Sequence, residues 1–426
     1  VTFRRLIAIA GIFIGASIAW SVLGSSLIAR TGQFDSQLGR EVQLLWGGQH
    51  RQVAAEAWIL RPAVETETVE TKDEKGRISR REVKKPALHS IPATLESTRA
   101  TVDLDLAHRQ KGLLWYATYS VAFKSTYTFR NPDNEPRELH VRLPLPAQDA
   151  LFDNFAFVIN GRPASVGNDV SKEVVAFVQA AAGGTVTLDV QYRSRGLGTW
   201  TYAFAPSGVA QVRDFNLVMT TNFRDIDFPA GTVSPGMKTE TPNGWTLTWT
   251  FANLISGQSI GMELPEKLNP GPFAARVTFF APVSLLFFLA VMVMVGVTSG
   301  PSLHPMHYWF IAAAFFAFHL LLAYLVDHVS VHAAFAAAAA VSLGLVVSYL
   351  RVVTGMRDAL FKAGVAQAIF LVLFSYAFFF EGFTGLAITV GAIVTLFAMM
   401  QMTARVSWDD VFSTGVAKEQ GHASHS

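Results

Sequence analysis

Two hydrophobic patterns divide the chain: long uninterrupted apolar runs near its ends, and a period-two alternation of apolar and polar residues through its middle. The first apolar run, 6–29, contains no charge, follows Arg4-Arg5 and stops at Arg30. About 20 apolar residues, each rising about 1.5 Å, cross a hydrocarbon core of about 30 Å. A cleaved signal peptide has a shorter apolar core ending at small residues spaced as Ala-x-Ala. This run is longer and ends in Ser25-Ser26-Leu27-Ile28-Ala29, so a retained anchor over 1–29 is expected. After Arg276 no charge appears until Asp327, and Ser299-Gly300-Pro301-Ser302-Leu303-His304-Pro305 splits that interval. Apolar runs at 277–298, 306–326, 333–350, 364–380 and 384–403 predict a bundle over 277–404. With the anchor they make six spans.

The middle segment, 30–276, reads as strands. Nearly every odd position from Leu113 to Phe129 is apolar, while Thr118, Ser120, Lys124, Thr126 and Thr128 occupy even ones. At about 3.3 Å per residue this strand would be roughly 55 Å long, so a bend or bulge within it is expected. Residues 245–251 alternate strictly after Asn243-Gly244, a hairpin signal; 185–192 and 199–204 alternate too, and Asn160-Gly161 marks a further turn. Many strands joined by turns predict an all-β, sandwich-like domain between the first and second spans, or two smaller β lobes. Residues 35–52 read as a short amphipathic helix leaving the membrane. Residues 64–85 are dense in charge, which predicts a solvated hairpin protruding from the domain, with a docking arm as the alternative.

Composition sharpens this division. Residues 277–404 hold six charges, Asp327, Arg351, Arg357, Asp358, Lys362 and Glu381, too few to keep a domain of that size in water. The net charge of +2 gives no footprint for nucleic acid. The absence of cysteine excludes disulfides, thiolate zinc sites and cysteine nucleophiles. Lys/Arg bias orients the spans. With the N-terminus cytoplasmic, Arg4, Arg5, Arg351, Arg357, Lys362, Arg405 and Lys418 all lie inside, and the loops at 327–332 and 381–383 carry no Lys or Arg. Both termini, including the tail 405–426, are then cytoplasmic and 30–276 lies outside.

Candidate chemistry centres on histidines. His304 and His307 begin the third span and Asp327, His328 and His332 follow it, but about 20 helical residues, roughly 30 Å, separate the clusters. Each alone has too few ligands for a metal site. His319 lies about 18 Å into the span from His307, a depth at which an ionisable side chain is a functional candidate. No intramembrane acid or base is there to continue a relay, so a packed, hydrogen-bonded imidazole is the plainer reading. No Walker loop, nucleophile elbow, dinucleotide fingerprint or His-Glu-x-x-His motif occurs. No catalytic residue, cofactor or metal is therefore assigned. Pro305 suits the first turn of a helix, and Asp327 past its far end needs a compensating donor, from His328 or the β domain. Gly11 and Gly15, and Ala336, Ala340, Gly344 and Ser348, form small-residue faces that predict close helix packing.

Leu303-His304-Pro305-Met306-His307-Tyr308, the apolar run after it, and Asp327-His328-Val329 resemble the inner-membrane protein CreD family. Gly196-Leu197-Gly198-Thr199 and the Trp-rich 245–251 are similar to family segments, whereas 49–62 departs from the family pattern. The resemblance implies a bacterial inner-membrane protein with a periplasmic β domain, tied to envelope integrity and stress and to the CreB/CreC two-component system. It supplies no biochemical activity. The expected function is non-enzymatic, through contacts of the periplasmic domain with membrane or periplasmic protein partners, beside the lipid bilayer and without nucleic acid. The alternatives are an accessory or scaffolding subunit of a membrane assembly, as homo- or hetero-oligomer, and a transporter or lipid-handling protein. The candidate structural or interaction residues are His304, Pro305, Met306, His319, Asp327 and His328.

Overall fold

The computed structural model describes residues 3–72, 78–111, 114–147, 150–164, 172–298, 303–380 and 382–404. The tail 405–426, residues 73–77 of the charge-dense stretch, residues 299–302, Leu113 and Glu381 lie outside these residues. The chain divides into two compact units, residues 1–37 with 268–426, and residues 38–267.

The first unit is helical. Helix α1 (Phe3–Trp46) is continuous, so 35–46 extend the anchor helix where a separate amphipathic helix was expected. Helices α2 (Pro270–Phe279) and α3 (Ala281–Thr298) meet at a 41° bend. Pro282 explains the break, because it has no N–H to give the Thr278 carbonyl four residues back and its ring crowds that carbonyl. Helices α4 (Pro305–Leu325) and α5 (Val331–Thr354) follow. The expected loop at 351–362 is helical except for Gly355, whose φ of +89° turns the chain into α6 (Met356–Phe379). Within α6, π-helical turns span Ala359–Gly364 and Ala368–Leu373. Helix α7 (Thr384–Thr403) is last. Among the described residues five helices are long and apolar enough to cross a membrane, or six if the bent α2–α3 pair is one span.

The second unit is a β structure whose strands lie between α1 and α2 in the chain. In order they are β1 (His50–Val53), β2 (Glu56–Lys72), β3 (Ile78–Pro92), β4 (Thr94–Lys111) and β5 (Leu114–Arg130). Then come β6 (Arg137–Pro144), β7 (Asp153–Ile159), β8 (Arg162–Pro163), β9 (Glu173–Ala180) and β10 (Thr185–Leu197). Finally there are β11 (Thr199–Ala203), β12 (Ala210–Thr221), β13 (Met237–Glu240), β14 (Trp245–Ser256) and β15 (Ile260–Glu263). They form an eight-stranded sheet, β13-β14-β12-β4-β5-β10-β7-β8, a four-stranded sheet, β3-β2-β6-β9, and a three-stranded sheet, β1-β11-β15.

One hydrophobic core takes in all three sheets, so the alternative of two β lobes does not hold. The odd residues of β5 from Ala117 to Phe129 face that core, as the alternation requires. Phe123 stacks on Tyr192 at 5.1 Å, and Trp200 and Tyr202 of β11 pack beside Phe123. The bulge expected in β5 is instead in its partner: β4 carries one extra residue, Glu96, between Leu95 and Ser97. Asn160 and Gly161 both have positive φ, the geometry of a type I′ turn, and join β7 to β8.

Residues 50–52, expected as the end of the 35–52 helix, instead open β1, which pairs in parallel with β11. Its inward residues are polar and wholly bonded. His50 Nδ1 meets the Tyr119 hydroxyl at 2.9 Å, and that hydroxyl donates to the Thr199 carbonyl at 2.9 Å. The hydroxyl therefore accepts from Nδ1–H, which leaves Nε2 to accept from Ser194 Oγ at 2.9 Å. Gln52 accepts from the Tyr192 hydroxyl at 2.7 Å and donates to the Pro144 carbonyl at 3.1 Å. The His50–Ser194 pair has the residue types of a nucleophile and its base, but both side chains are buried. A Cβ on Gly196 would strike Tyr119 and His50, so the backbone of β10 closes directly against both side chains.

Burial lowers the His50 pKa from the ordinary 6.5 to about 4. An unfolded chain thus binds a proton in a pH range where the fold refuses it, and this contribution to stability is complete above 6.5 and lost as pH falls toward 4. At about 1.36 kcal/mol per unit the loss is roughly 3 kcal/mol. Thermal melting in detergent at pH 7 and pH 4.5 should show the fall for the native chain. A His50→Gln variant should start less stable at pH 7 and have a flatter pH dependence.

Candidate functional site

The polar side chains of the helical unit are few enough to follow one by one. His304 is the N-cap of α4: its Nδ1 accepts from the Met306 N–H at 3.3 Å, and Pro305 occupies the first turn. That pairing uses one of the donors a helix start leaves free, while the Met306 side chain is exposed. His307 lies one turn on and binds the Tyr349 hydroxyl of α5 at 2.7 Å. The two histidines of the His-x-x-His element therefore do separate structural jobs. Among the described residues no three of His, Cys, Asp or Glu converge as metal ligands.

Helix α4 ends at Leu325, with Val326 as its C-cap, and Asp327 follows. A carboxylate there meets the negative end of the helix dipole. Its compensating donor is Arg30, whose guanidinium hydrogen-bonds and ion-pairs with the Asp327 carboxylate. Arg30 also lies over the Tyr324 ring, 5.8 Å from its centre. This corrects the expectation of a donor from His328 or the β domain: His328 is exposed, and the partner is the basic residue that ends the first apolar run. The signal was present in the sequence. Arg30 and Asp327 are isolated charges that the charge bias assigns to the same membrane face.

His319 is fully buried, and Nδ1–H donates to the Phe315 carbonyl one turn back at 2.9 Å. Its ring meets Trp20 of α1 edge-on at 5.4 Å and Phe318 at 4.9 Å. His319 Nε2 and Trp20 Nε1 are both enclosed without a hydrogen-bond partner. An acceptor and a donor thus lie on adjoining rings. Further polar contacts were not anticipated. Gln367 of α6 donates to Ser342 of α5 at 2.8 Å, and Ser342 donates to the Ala314 carbonyl of α4 at 2.7 Å. Gln367 sits between the two π-helical stretches, a frequent setting for a functional residue. A lone Gln inside an apolar run was the available clue.

The small-residue faces turn the other way from expectation. Gly11 and Gly15 of α1, and Ala336, Ala340, Gly344 and Ser348 of α5, are exposed, and α5 instead buries Ala334, Phe335, Ala338, Ser342 and Val346. A groove of about 540 Å³ between α4 and α5 is lined by Phe310, Ala314, Leu345, Tyr349 and Val352, among others. His319 is not part of it, so the imidazole and the groove do not make one site.

The Arg30–Asp327 pair is testable by a double-mutant cycle. Arg30→Gln and Asp327→Asn should each lower detergent stability by roughly 1.5–3 kcal/mol, the worth of a hydrogen bond to a charged group. The double variant should lose clearly less than the two together. His328→Ala should leave melting unchanged. Additive losses would mean the two side chains are not coupled.

No curated protein matches the chain in sequence. Among solved structures it is similar to a putative nutrient binding protein from Legionella pneumophila at 12% identity, covering 51% of this chain and 88% of that one with a TM-score of 0.30. It is also similar to an M1 zinc metallopeptidase from Deinococcus radiodurans at 12% identity, covering 67% and 93% with a TM-score of 0.26. Neither likeness carries an argument about this chain. The sequence match that counts runs from the end of β12 past α7 and contains both His304–Met306 and Asp327–His328. Over residues 222–409 the chain matches the model of Inner membrane protein CreD, which bears out over that stretch the resemblance read from residues 303–308 and 327–329.

Proposed function

We propose that the protein is a non-enzymatic envelope-integrity protein of the inner membrane that acts through protein contacts of its β unit. The observation that carries this reading is the β2–β3 ribbon. Strand β2 last pairs with β6 at Ile59, yet it stays paired with β3 out to Lys72. Thirteen further residues at about 3.3 Å each make a two-stranded arm roughly 40 Å long. Isolated two-stranded ribbons are marginal in water. This one keeps Val64 and Leu88 exposed beside the exposed ion pair Glu67–Lys85 and the exposed Glu65–His89 hydrogen bond. Apolar side chains held out on an arm with charged neighbours suit a protein contact surface.

A second reading, an accessory subunit of a membrane assembly, draws on the outward small-residue faces of α1 and α5, which let another helix approach closely. In either reading both termini are cytoplasmic, the β unit is periplasmic, and catalysis plays no part.

Two measurements test these statements. With no native cysteine, a Ser330→Cys variant should be labelled by an impermeant reagent from the periplasmic side; labelling from the cytoplasmic side alone would overturn the orientation. Excising 62–88 and rejoining the strands should preserve cooperative melting while abolishing complementation of envelope-stress sensitivity in a strain lacking the protein. Full complementation by the shortened chain would remove the ribbon from the function.

A further inference from the structure

Open strand edges invite pairing with another chain, and proteins guard them with short strands, lysine, proline or bulges. Most terminal strands of this protein are guarded. At one end of the eight-stranded sheet β8 is two residues long and contains Pro163; at the other, β13 is four residues with Lys238 and Glu240. In the four-stranded sheet β3 carries Lys84, Lys85 and Pro86. Strands β1 and β15 of the small sheet are four residues each. Strand β9 is the exception. Its eight residues, Glu-Val-Val-Ala-Phe-Val-Gln-Ala, hold one charge, no lysine and no proline. All eight pair with β6 on one side, and among the described residues no strand pairs with the other side.

The side chains at that edge are equally unguarded. Val174, Ala176 and Ala180 face the core, while the outward side carries Glu173, Val175, Phe177 and Gln179. Phe177 is 59% exposed. It ends a row of rings across three strands: Trp58 on β2 lies 5.6 Å from His140 on β6, which meets Phe177 edge-on at 4.7 Å. The row stops at the open edge with its last ring facing outward.

We infer that β9 pairs antiparallel with β9 of a second copy of this chain, joining two four-stranded sheets into one of eight strands. A two-fold axis perpendicular to the sheet keeps outward residues outward, so directly opposed residues must share a face. An axis through Ala176 sets Val175 against the partner subunit's Phe177, and Glu173 against the partner subunit's Gln179. Each exposed ring is then covered by a β-branched side chain, a favourable cross-strand pair. The single carboxylate meets an amide that can donate to it. On the core face Val174 meets the partner subunit's Val178. No like charges oppose one another in this register. Self-complementarity of charge and shape thus favours a second copy over a foreign strand. The inference does not rest on the ribbon reading, because the ribbon takes no part in this edge.

The test uses the full chain in membranes and in mild detergent. Opposed residues in an antiparallel pair are close enough for a disulfide. A Val175→Cys/Phe177→Cys double variant, oxidised in membranes, should give a covalent dimer, while each single variant stays monomeric on a non-reducing gel. The native chain should have dimer mass in detergent, and Phe177→Lys, which puts a guard on the edge, should shift it to monomer mass with its melting temperature kept. The inference is overturned by a native chain of monomer mass, by a dimer that survives Phe177→Lys, or by a double variant that fails to cross-link or links to a different protein. Equal cross-linking by the single variants overturns it as well, because it would report random collision.

Discussion

Asp327 stands just past a helix end whose free carbonyls already repel it, in a unit with almost no other charge to answer it. An unpaired carboxylate in that position would be drawn away from the bundle toward water. Arg30 alters the balance by supplying a full positive charge from another helix, and it does so at the point where α1 leaves its apolar run. Most of α1 is otherwise exposed, with Trp20 the one residue of its apolar run buried completely. The ion pair and the Trp20–His319 ring contact therefore hold the first helix against α4 at two depths. A sliding or rotating α1 would have to break a charged contact as well as an aromatic one.

The β unit meets the same constraint with neutral groups. His50 and Gln52 are buried polar residues on a four-residue strand that has little apolar surface of its own. Hydrogen bonds join them to strands of the other two sheets, through Tyr119, Ser194 and Tyr192 of the eight-stranded sheet and Pro144 of the four-stranded one. Directional bonds of this kind specify a register that apolar packing alone leaves loose. The ends of α1 and β5 are joined within the same unit, where Val42, Leu114 and Tyr116 form a small cluster and Arg109 and Arg195 stack on Trp46.

Patterns that depend on repetition were legible in the sequence. The apolar runs, the alternation along β5, the Asn160-Gly161 turn and the start of α4 at Pro305 all follow from local rules that repeat or carry a distinctive residue. Features made by a single distant partner were not. Strand β1 reads as polar because two of its three buried positions are His and Gln, and nothing nearby shows what bonds them. Gln367 and Ser342 are 25 residues apart and are joined only by the packing of α5 on α6. The small-residue faces were read in the wrong direction because small size permits close approach without saying which side approaches. Arg30 was visible as the end of a span, but its role depends on a residue 297 positions away.

The π-helical turns of α6 govern how its apolar stripe is aimed. Its buried residues include Ala359, Ala363, Gln367, Leu371, Phe374 and Phe378, separated by three or four positions. In a uniform α-helix, steps averaging more than 3.6 residues carry a stripe around the cylinder, here by roughly 100° over the length of the segment. Each π turn holds an extra residue per rotation and so absorbs part of that drift. Two such turns underwind the helix and keep one continuous seam toward α5 and α3. The helix is thereby tuned like a screw whose thread is coarsened to match its nut, and Gln367 lies at the midpoint of the coarsened stretch.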